Sequence, residues 1–411
     1  VLLIQCDKDL VSNSVTSTEN LQKEQITSAG RYTMEQTLSE EAQRNTIAFD
    51  GLAFLTGSVG SQSFLPPGKV ADYSGFQYLR DNDPTDLGHN TSFVTIIANT
   101  VLNILSTDQI NLFVASARNQ IDLINQFAYK RFPLLDAFRR LQQGDLPAGT
   151  TQLSKEAVMA YTAELYRVDG QISYGRAQLF GRLLNSMTAA QKTELAALKK
   201  IDGVGHWSIN PANPLETWHL DRDIQVAVMT YASEMYAWYA GSVAADVYFC
   251  PERQGTYFGS FYLKDWPAMG NPNYSIDEQL TASAGENFLN ILTPTQSAQV
   301  RGLVSLQHQA LTELVSKREA IATELRRFLD NQTADESEVI TLSETYGELD
   351  GEISYYYAVT FTQVWKSLTD DQKAQLFRLA DELGYLAPDG AFLYSEPIPM
   401  PEIINTDFMF E

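Results

Sequence analysis

Apolar residues recur along most of this chain at alternating steps of three and four. The clearest run carries Tyr161, Leu165, Val168, Ile172, Gly175, Leu179 and Leu183, and a second run repeats its steps as Leu342, Tyr346, Leu349, Ile353, Tyr356, Thr360 and Val364. That spacing puts one apolar stripe on a 3.6-residue helix, which must be covered by a neighbouring helix, as in antiparallel bundles. Gly170 and Gly351 interrupt the two stripes at matching places. A glycine inside a helix costs about 1 kcal/mol relative to alanine, so their recurrence points to close helix approach or a local break. Another helical stretch runs from Thr107 toward Leu141, and Pro133 is expected to kink or interrupt it. The two-residue alternation of strands is scarce, so the pattern predicts an all-α fold.

The runs belong to a longer self-similarity. Gly57 to Asp81 aligns with Gly241 to Asp265 without a gap at a shift of 184, with nine of 25 positions identical. Leu102-Asn103-Ile104-Leu105 matches Leu289-Asn290-Ile291-Leu292 at a shift of 187, as does Arg139-Arg140 with Arg326-Arg327. Further on, Asp169-Gly170 and Ile172-Ser173-Tyr174 match Asp350-Gly351 and Ile353-Ser354-Tyr355 at a shift of 181. Self-similarity of this kind implies two copies of one supersecondary unit. The expected organisation is a polar tether over 1–39, helical units over 40–200 and 224–387, a Gly-, Pro- and Asn-rich connector over 201–223, and a Pro-rich tail over 388–411 whose apolar end packs back on the body.

Four segments share an apolar residue, Ser or Thr, two variable residues and Gln. They centre on Ser106 with Gln109, Thr188 with Gln191, Thr293 with Gln296, and Thr369 with Gln372. This is a capping box: the hydroxyl accepts from the backbone N–H three residues on, and the Gln side chain accepts from the N–H of the cap residue. Each box therefore starts a helix, and Pro294 suits the first helical position, where its missing donor is not needed. Two boxes per unit, in register, make the sequence resemble the LTxxQ family of bacterial periplasmic proteins, which includes the Spy and CpxP chaperone and stress-response proteins and related metal-responsive proteins. The resemblance implies small helical hairpins, here fused in tandem, and chaperone-like binding of unfolded or envelope proteins. It covers the helical parts of each unit only.

Composition narrows the partners. With 51 acidic and 29 basic residues the formal net charge is -22, which repels phosphate backbones and anionic lipid heads, so neither nucleic acid nor a membrane surface is an expected partner. No apolar run reaches the roughly 18 residues of a membrane-spanning helix. The first residues, Val1-Leu2-Leu3-Ile4-Gln5-Cys6, resemble the end of a bacterial lipoprotein signal, with Leu3 three places before Cys6. Lipidation of Cys6, and a periplasmic or cell-surface location, are the corresponding expectations. The other cysteine is Cys250, and neither a disulfide framework nor a CxxC motif is present.

Candidate chemistry is sparse. The duplicated loop places Lys69, Tyr73, Tyr78 and Arg80 against Arg253, Tyr257, Tyr262 and Lys264. Two tyrosines and two cations per copy could bind an anionic or aromatic ligand through hydroxyls and cation–π contacts, or could simply strap the loop over the bundle. His206 and His219, with Asp221 and Asp223 nearby, permit a metal site at the connector, although surface histidines would look the same. A GxSxG elbow, a P-loop and a GxGxxG turn are all missing, and one ExxH spacing, Glu216 to His219, falls in the connector. The expected protein is a non-catalytic envelope binding protein without a cofactor, chaperone-like toward protein clients. The alternatives are a structural or assembly component of the cell surface and a metal-binding envelope sensor.

Overall fold

The computed structural model of the chain describes residues 40–57, 91–198, 211–240, 278–382, 391–393, 396–398 and 402–411. Its helices are α1 Glu40–Thr56, α2 Thr91–Ile104, α3 Thr107–Gln143, α4 Lys155–Ser186, α5 Ala189–Leu198, α6 Arg222–Ala240, α7 Glu278–Ile291, α8 Pro294–Arg326, α9 Glu336–Ser367 and α10 Asp370–Glu382. The fold class is all-α. Among the described residues the exceptions are short 3-10 turns, one two-stranded antiparallel hairpin with β1 Ala391–Leu393 and β2 Glu396–Ile398, and a single bridge between Leu153 and Phe410. No described helix is long and apolar enough to cross a membrane.

Pro133 does not interrupt α3, which continues through it to Gln143 and ends on Gly144 in the left-handed conformation. Proline removes one intrahelical donor and pushes on the carbonyl four residues back, which loosens the preceding turn. In that turn the Tyr161 hydroxyl donates to the Lys130 carbonyl at 2.6 Å, next to the Tyr129 carbonyl that Pro133 leaves without its helical donor. Burial pushes the Tyr161 phenol up to about 12, which keeps it a donor.

The helices of the two sequence intervals follow one another in the same order. The starts of α2 and α7, and of α3 and α8, lie 187 residues apart (91 to 278, 107 to 294); those of α4 and α9, and of α5 and α10, lie 181 apart (155 to 336, 189 to 370). Space does not follow sequence, however. The first helix of each interval packs in the other interval's bundle: α1 lies against α7 and α8, and α6 lies against α2 and α3. One bundle is thus α2, α3 and α4 with α6, and the other is α7, α8 and α9 with α1. Reciprocal ring contacts seal the exchange, Phe54 of α1 on Phe361 of α9 at 5.6 Å and Trp238 of α6 on Phe180 of α4 at 6.2 Å. Each exchanged helix is held to its own interval near its C-terminus by an arginine. Arg139 donates to the Phe54 carbonyl at 2.6 Å, and Arg326 donates to the Trp238 carbonyl at 2.8 Å.

The two bundles meet along α4 and α9, the most extensive helix pair among the described residues. Here the matched glycines act. A Cβ on Gly170 would collide with Ser343, and one on Gly351 would collide with Thr162. Thr162 and Ser343 are themselves 181 apart, as are Gly170 and Gly351, so each contact is the reciprocal of the other, as in a two-fold interface. Gly347 admits the Thr162 carbonyl and the Tyr166 side chain, and the Tyr166 and Tyr346 rings meet at 4.9 Å. Glycine's cost in the helix is offset by the close approach it permits.

The C-terminal residues 402–411 close the first bundle. Thr151 donates to the Glu411 carbonyl at 2.7 Å and Glu411 returns a bond to the Gln152 carbonyl at 3.0 Å. Arg140 pairs with Asp407 at 2.8 Å, and Met409 is fully buried.

Candidate functional site

The four boxes close as hydrogen-bonded caps. At α3 the Gln109 N–H donates to Ser106 Oγ at 3.3 Å while the Ser106 N–H donates to Gln109 Oε1 at 2.9 Å. Thr188 with Gln191 at α5, Thr293 with Gln296 at α8, and Thr369 with Gln372 at α10 make the same two bonds. These bonds satisfy backbone donors that the first turn of a helix leaves open.

The boxes are also tied to each other in pairs. The Gln191 amide donates to Gln109 Oε1 at 2.7 Å and to the Ile104 carbonyl at 2.8 Å. In the second interval the Gln372 amide donates to Gln296 Oε1 at 2.8 Å and to the Ile291 carbonyl at 2.9 Å. The remaining amides turn to the end of the fourth helix, Gln109 to Ser186 Oγ at 3.2 Å and Gln296 to Ser367 Oγ at 3.0 Å. Each pair therefore gathers the end of one helix, the starts of two and the last turn of a fourth at one pole of its bundle. The pairing could not be read from one box, whose bonds span three residues. The signal was the occurrence of two boxes per unit, each with one amide N–H2 unused by its own cap.

The poles differ in what surrounds the glutamines. At the first, an open recess of about 680 Å³ is lined by Ser106, Gln109, Ser186, Thr188 and Gln191 together with Asp108, Leu112 and Arg182. The second pole has Thr295, Gln299 and Gln363 at the positions 187, 187 and 181 residues on from those last three. At these three positions the first pole has charge of both signs and an apolar side chain where the second has neutral polar residues; the second pole carries its charge instead as Asp370 and Asp371, at the places of Ala189 and Ala190.

A different set of polar residues lies inside the bundles. Arg176 of α4 donates through Nη1 to both Glu234 oxygens of α6, at 3.1 and 3.2 Å, and both side chains are almost wholly buried. Burial works against the guanidinium charge, but Glu234, Tyr231 and Asp169 outweigh it and raise its pKa. Tyr231 donates to Gln120 Oε1 at 2.8 Å, and burial pushes its phenol up to about 12. The second bundle has Asp50, Tyr357, Asp350 and Gln307 where the first has Glu234, Arg176, Asp169 and Gln120. There Tyr357 donates to Gln307, and Gln307 donates to Gln43 of α1 at 2.9 Å. Burial, then the neighbouring Asp50, drives the Tyr357 phenol well above its ordinary value. These buried groups tie the exchanged helices to the bundles that hold them.

Other candidates fall differently. Lys69, Tyr73, Tyr78, Arg80, Arg253, Tyr257, Tyr262, Lys264, Cys6 and His206 lie outside the described residues. His219 is exposed in a left-handed backbone conformation, φ 49°, just before α6. Asp223 Oδ1 accepts the Ile224 N–H at 2.8 Å. Among the described residues no group of three or more His, Cys, Asp or Glu side chains converges as a metal site would require.

Comparison of the chain with protein-family models, with curated protein sequences and with solved structures finds no match.

Proposed function

We propose that this chain is a non-catalytic binding protein of the bacterial cell envelope that holds a short segment of a protein client in the recess at its first pole. The observation that carries this reading is the recess itself, whose walls combine hydroxyls and amides with Asp108, Arg182 and Leu112. An extended polypeptide presents N–H donors, carbonyl acceptors and side chains of mixed character, and such a wall can meet all three. The glutamine ties hold four helix ends together, so the wall is preorganised and binding loses little to ordering it. Chaperone-like action toward partly unfolded or envelope proteins, and attachment through a lipid on Cys6, extend the reading along the family resemblance. No cofactor is invoked.

The test is aggregation of a reduced, unfolding substrate followed by light scattering. The full chain at equimolar concentration is expected to delay aggregation. The Asp108→Ala/Arg182→Ala double variant should lose most of that protection, whereas Thr295→Ala/Gln363→Ala at the other pole should keep it. Absence of protection by the unaltered chain overturns the proposal.

A further inference from the structure

A second recess, independent of the first, opens on the seam created by the helix exchange. It has a volume of about 230 Å³ and is lined by Arg44 of α1, Glu286, Leu289 and Asn290 of α7, and Arg301 of α8. Its wall is therefore shared between the two sequence intervals. Arg44 is half-buried, Arg301 and Glu286 are exposed, and neither arginine enters an ion pair among the described residues. In a chain of net charge -22, a small polar recess where two guanidinium groups face one carboxylate, Glu286, carries a local excess of positive charge among the described residues.

From this geometry we infer that the recess is a binding site for hydrogen phosphate. Guanidinium groups donate in a planar fork that matches two oxygens of an oxyanion, and two of them supply the positive charge. The Asn290 amide adds a donor. Glu286 decides which oxyanion is accepted, because an ionised carboxylate is an acceptor only. Hydrogen phosphate still carries a proton at neutral pH and can donate it to Glu286. Sulfate has no proton to offer and meets the carboxylate as a like charge. A phosphate monoester has lost its last proton above roughly pH 6 and meets the same repulsion. The shared chemistry is a protonated phosphoryl oxyanion, with free phosphate favoured over an esterified one above that pH. Because α1 comes from one interval and α7 and α8 from the other, the bound ion would also pin the exchanged helix, so binding raises the unfolding temperature by mass action.

The experiment uses the full chain at pH 7.5 and constant ionic strength, with calorimetric titration and thermal unfolding as readouts. Inorganic phosphate is expected to bind saturably and to raise the unfolding temperature, whereas sodium sulfate does neither and glycerol phosphate binds at least roughly 10-fold more weakly. Arg301→Ala, on the exposed face of α8, should weaken phosphate binding by roughly 10-fold or more. Arg44→Ala should do the same, with circular dichroism verifying that it folds. Glu286→Gln should admit sulfate while keeping phosphate, which separates recognition from mere charge attraction. Equal responses to phosphate and sulfate in the unaltered chain overturn the inference, as does undiminished phosphate binding by Arg301→Ala. Loss of aggregation protection at the first pole has no bearing on either result.

Discussion

The Gln191 side chain donates 2.7 Å to the Oε1 of Gln109, the same oxygen that accepts the Ser106 N–H at the start of α3. Two caps 82 residues apart are therefore one structure, and removing Gln191 undoes more than its own box. Gln191→Ala keeps the backbone N–H bond to Thr188 Oγ but loses the acceptor of the Thr188 N–H, the link to Gln109 and the bond to the Ile104 carbonyl. The expected loss is about 1–3 kcal/mol, since caps and single hydrogen bonds each contribute about 1 kcal/mol. Urea denaturation measures it. Gln372→Ala, which makes the matching bonds to Gln296 and Ile291, should lose a similar amount.

Glycine substitutions separate the seam from the surface. A Cβ on Gly347 would lie 2.5 Å from the Thr162 carbonyl and 2.9 Å from the Ala163 Cα, backbone atoms that cannot turn aside, whereas nothing lies within 4 Å of one on Gly302. Gly347→Ala should destabilise by about 1–3 kcal/mol through overpacking. Gly302→Ala should stabilise by up to about 1 kcal/mol, because alanine removes glycine's helical penalty at no steric cost. Opposite shifts in unfolding temperature are the expected outcome; shifts of the same sign would contradict the α4–α9 packing.

Glu234 on α6 is the partner of Arg176 inside a bundle formed by the other interval. Glu234→Ala leaves a buried guanidinium without its ion-pair partner, and breaking a buried pair in this way costs about 3–5 kcal/mol. Replacing both, as Arg176→Met with Glu234→Leu, removes the uncompensated charge and should recover much of that loss. Denaturant midpoints of the single and double variants decide it: if the double variant is as unstable as Glu234→Ala, the pair does not act as a unit.

A partly exposed polar tie joins the start of α4 to α9. Lys155 Nζ lies 2.6 Å from Glu352 Oε1, and Tyr356 donates to that oxygen at 2.8 Å. Burial disfavours both charges, yet the bonds among Glu352, Lys155 and Tyr356 outweigh it, so Glu352 titrates below and Lys155 above its ordinary value. A depressed carboxyl pKa contributes stability that is present above the unfolded value of 4.5 and is lost as pH falls through the folded one. A raised lysine pKa contributes stability present below 10.5 and lost as pH rises through the folded value. Because the pair is partly solvated, the whole effect should stay below about 1 kcal/mol. Glu352→Gln should flatten the acid limb of denaturant midpoint against pH, on the side below the ordinary carboxyl value of 4.5.

What could be read from the sequence was local. A capping box is complete within four residues, so Ser106, Thr188, Thr293 and Thr369 mark helix starts without knowledge of the rest of the chain. The stripe from Tyr161 to Leu183 specifies a helix and one buried face in the same way. The recess residues Asp108 and Arg182 gave no such signal, because single charges on helices are common and their convergence depends on where the helices cross.

Partner choice was decided by tertiary structure. An apolar stripe requires cover but does not say by what, and two intervals with similar stripes offer α1 and α6 nearly equivalent places. Phe54 on Phe361, Trp238 on Phe180 and the buried Arg176–Glu234 pair select the crossed arrangement, and none of these is visible at short range along the chain. Pro133 shows the same division: its cost in α3 is local, while the hydroxyl that meets the loosened turn comes from Tyr161 on the next helix. Capping and periodicity act over a few residues and are therefore written in the sequence; pairing acts between surfaces that only folding brings together.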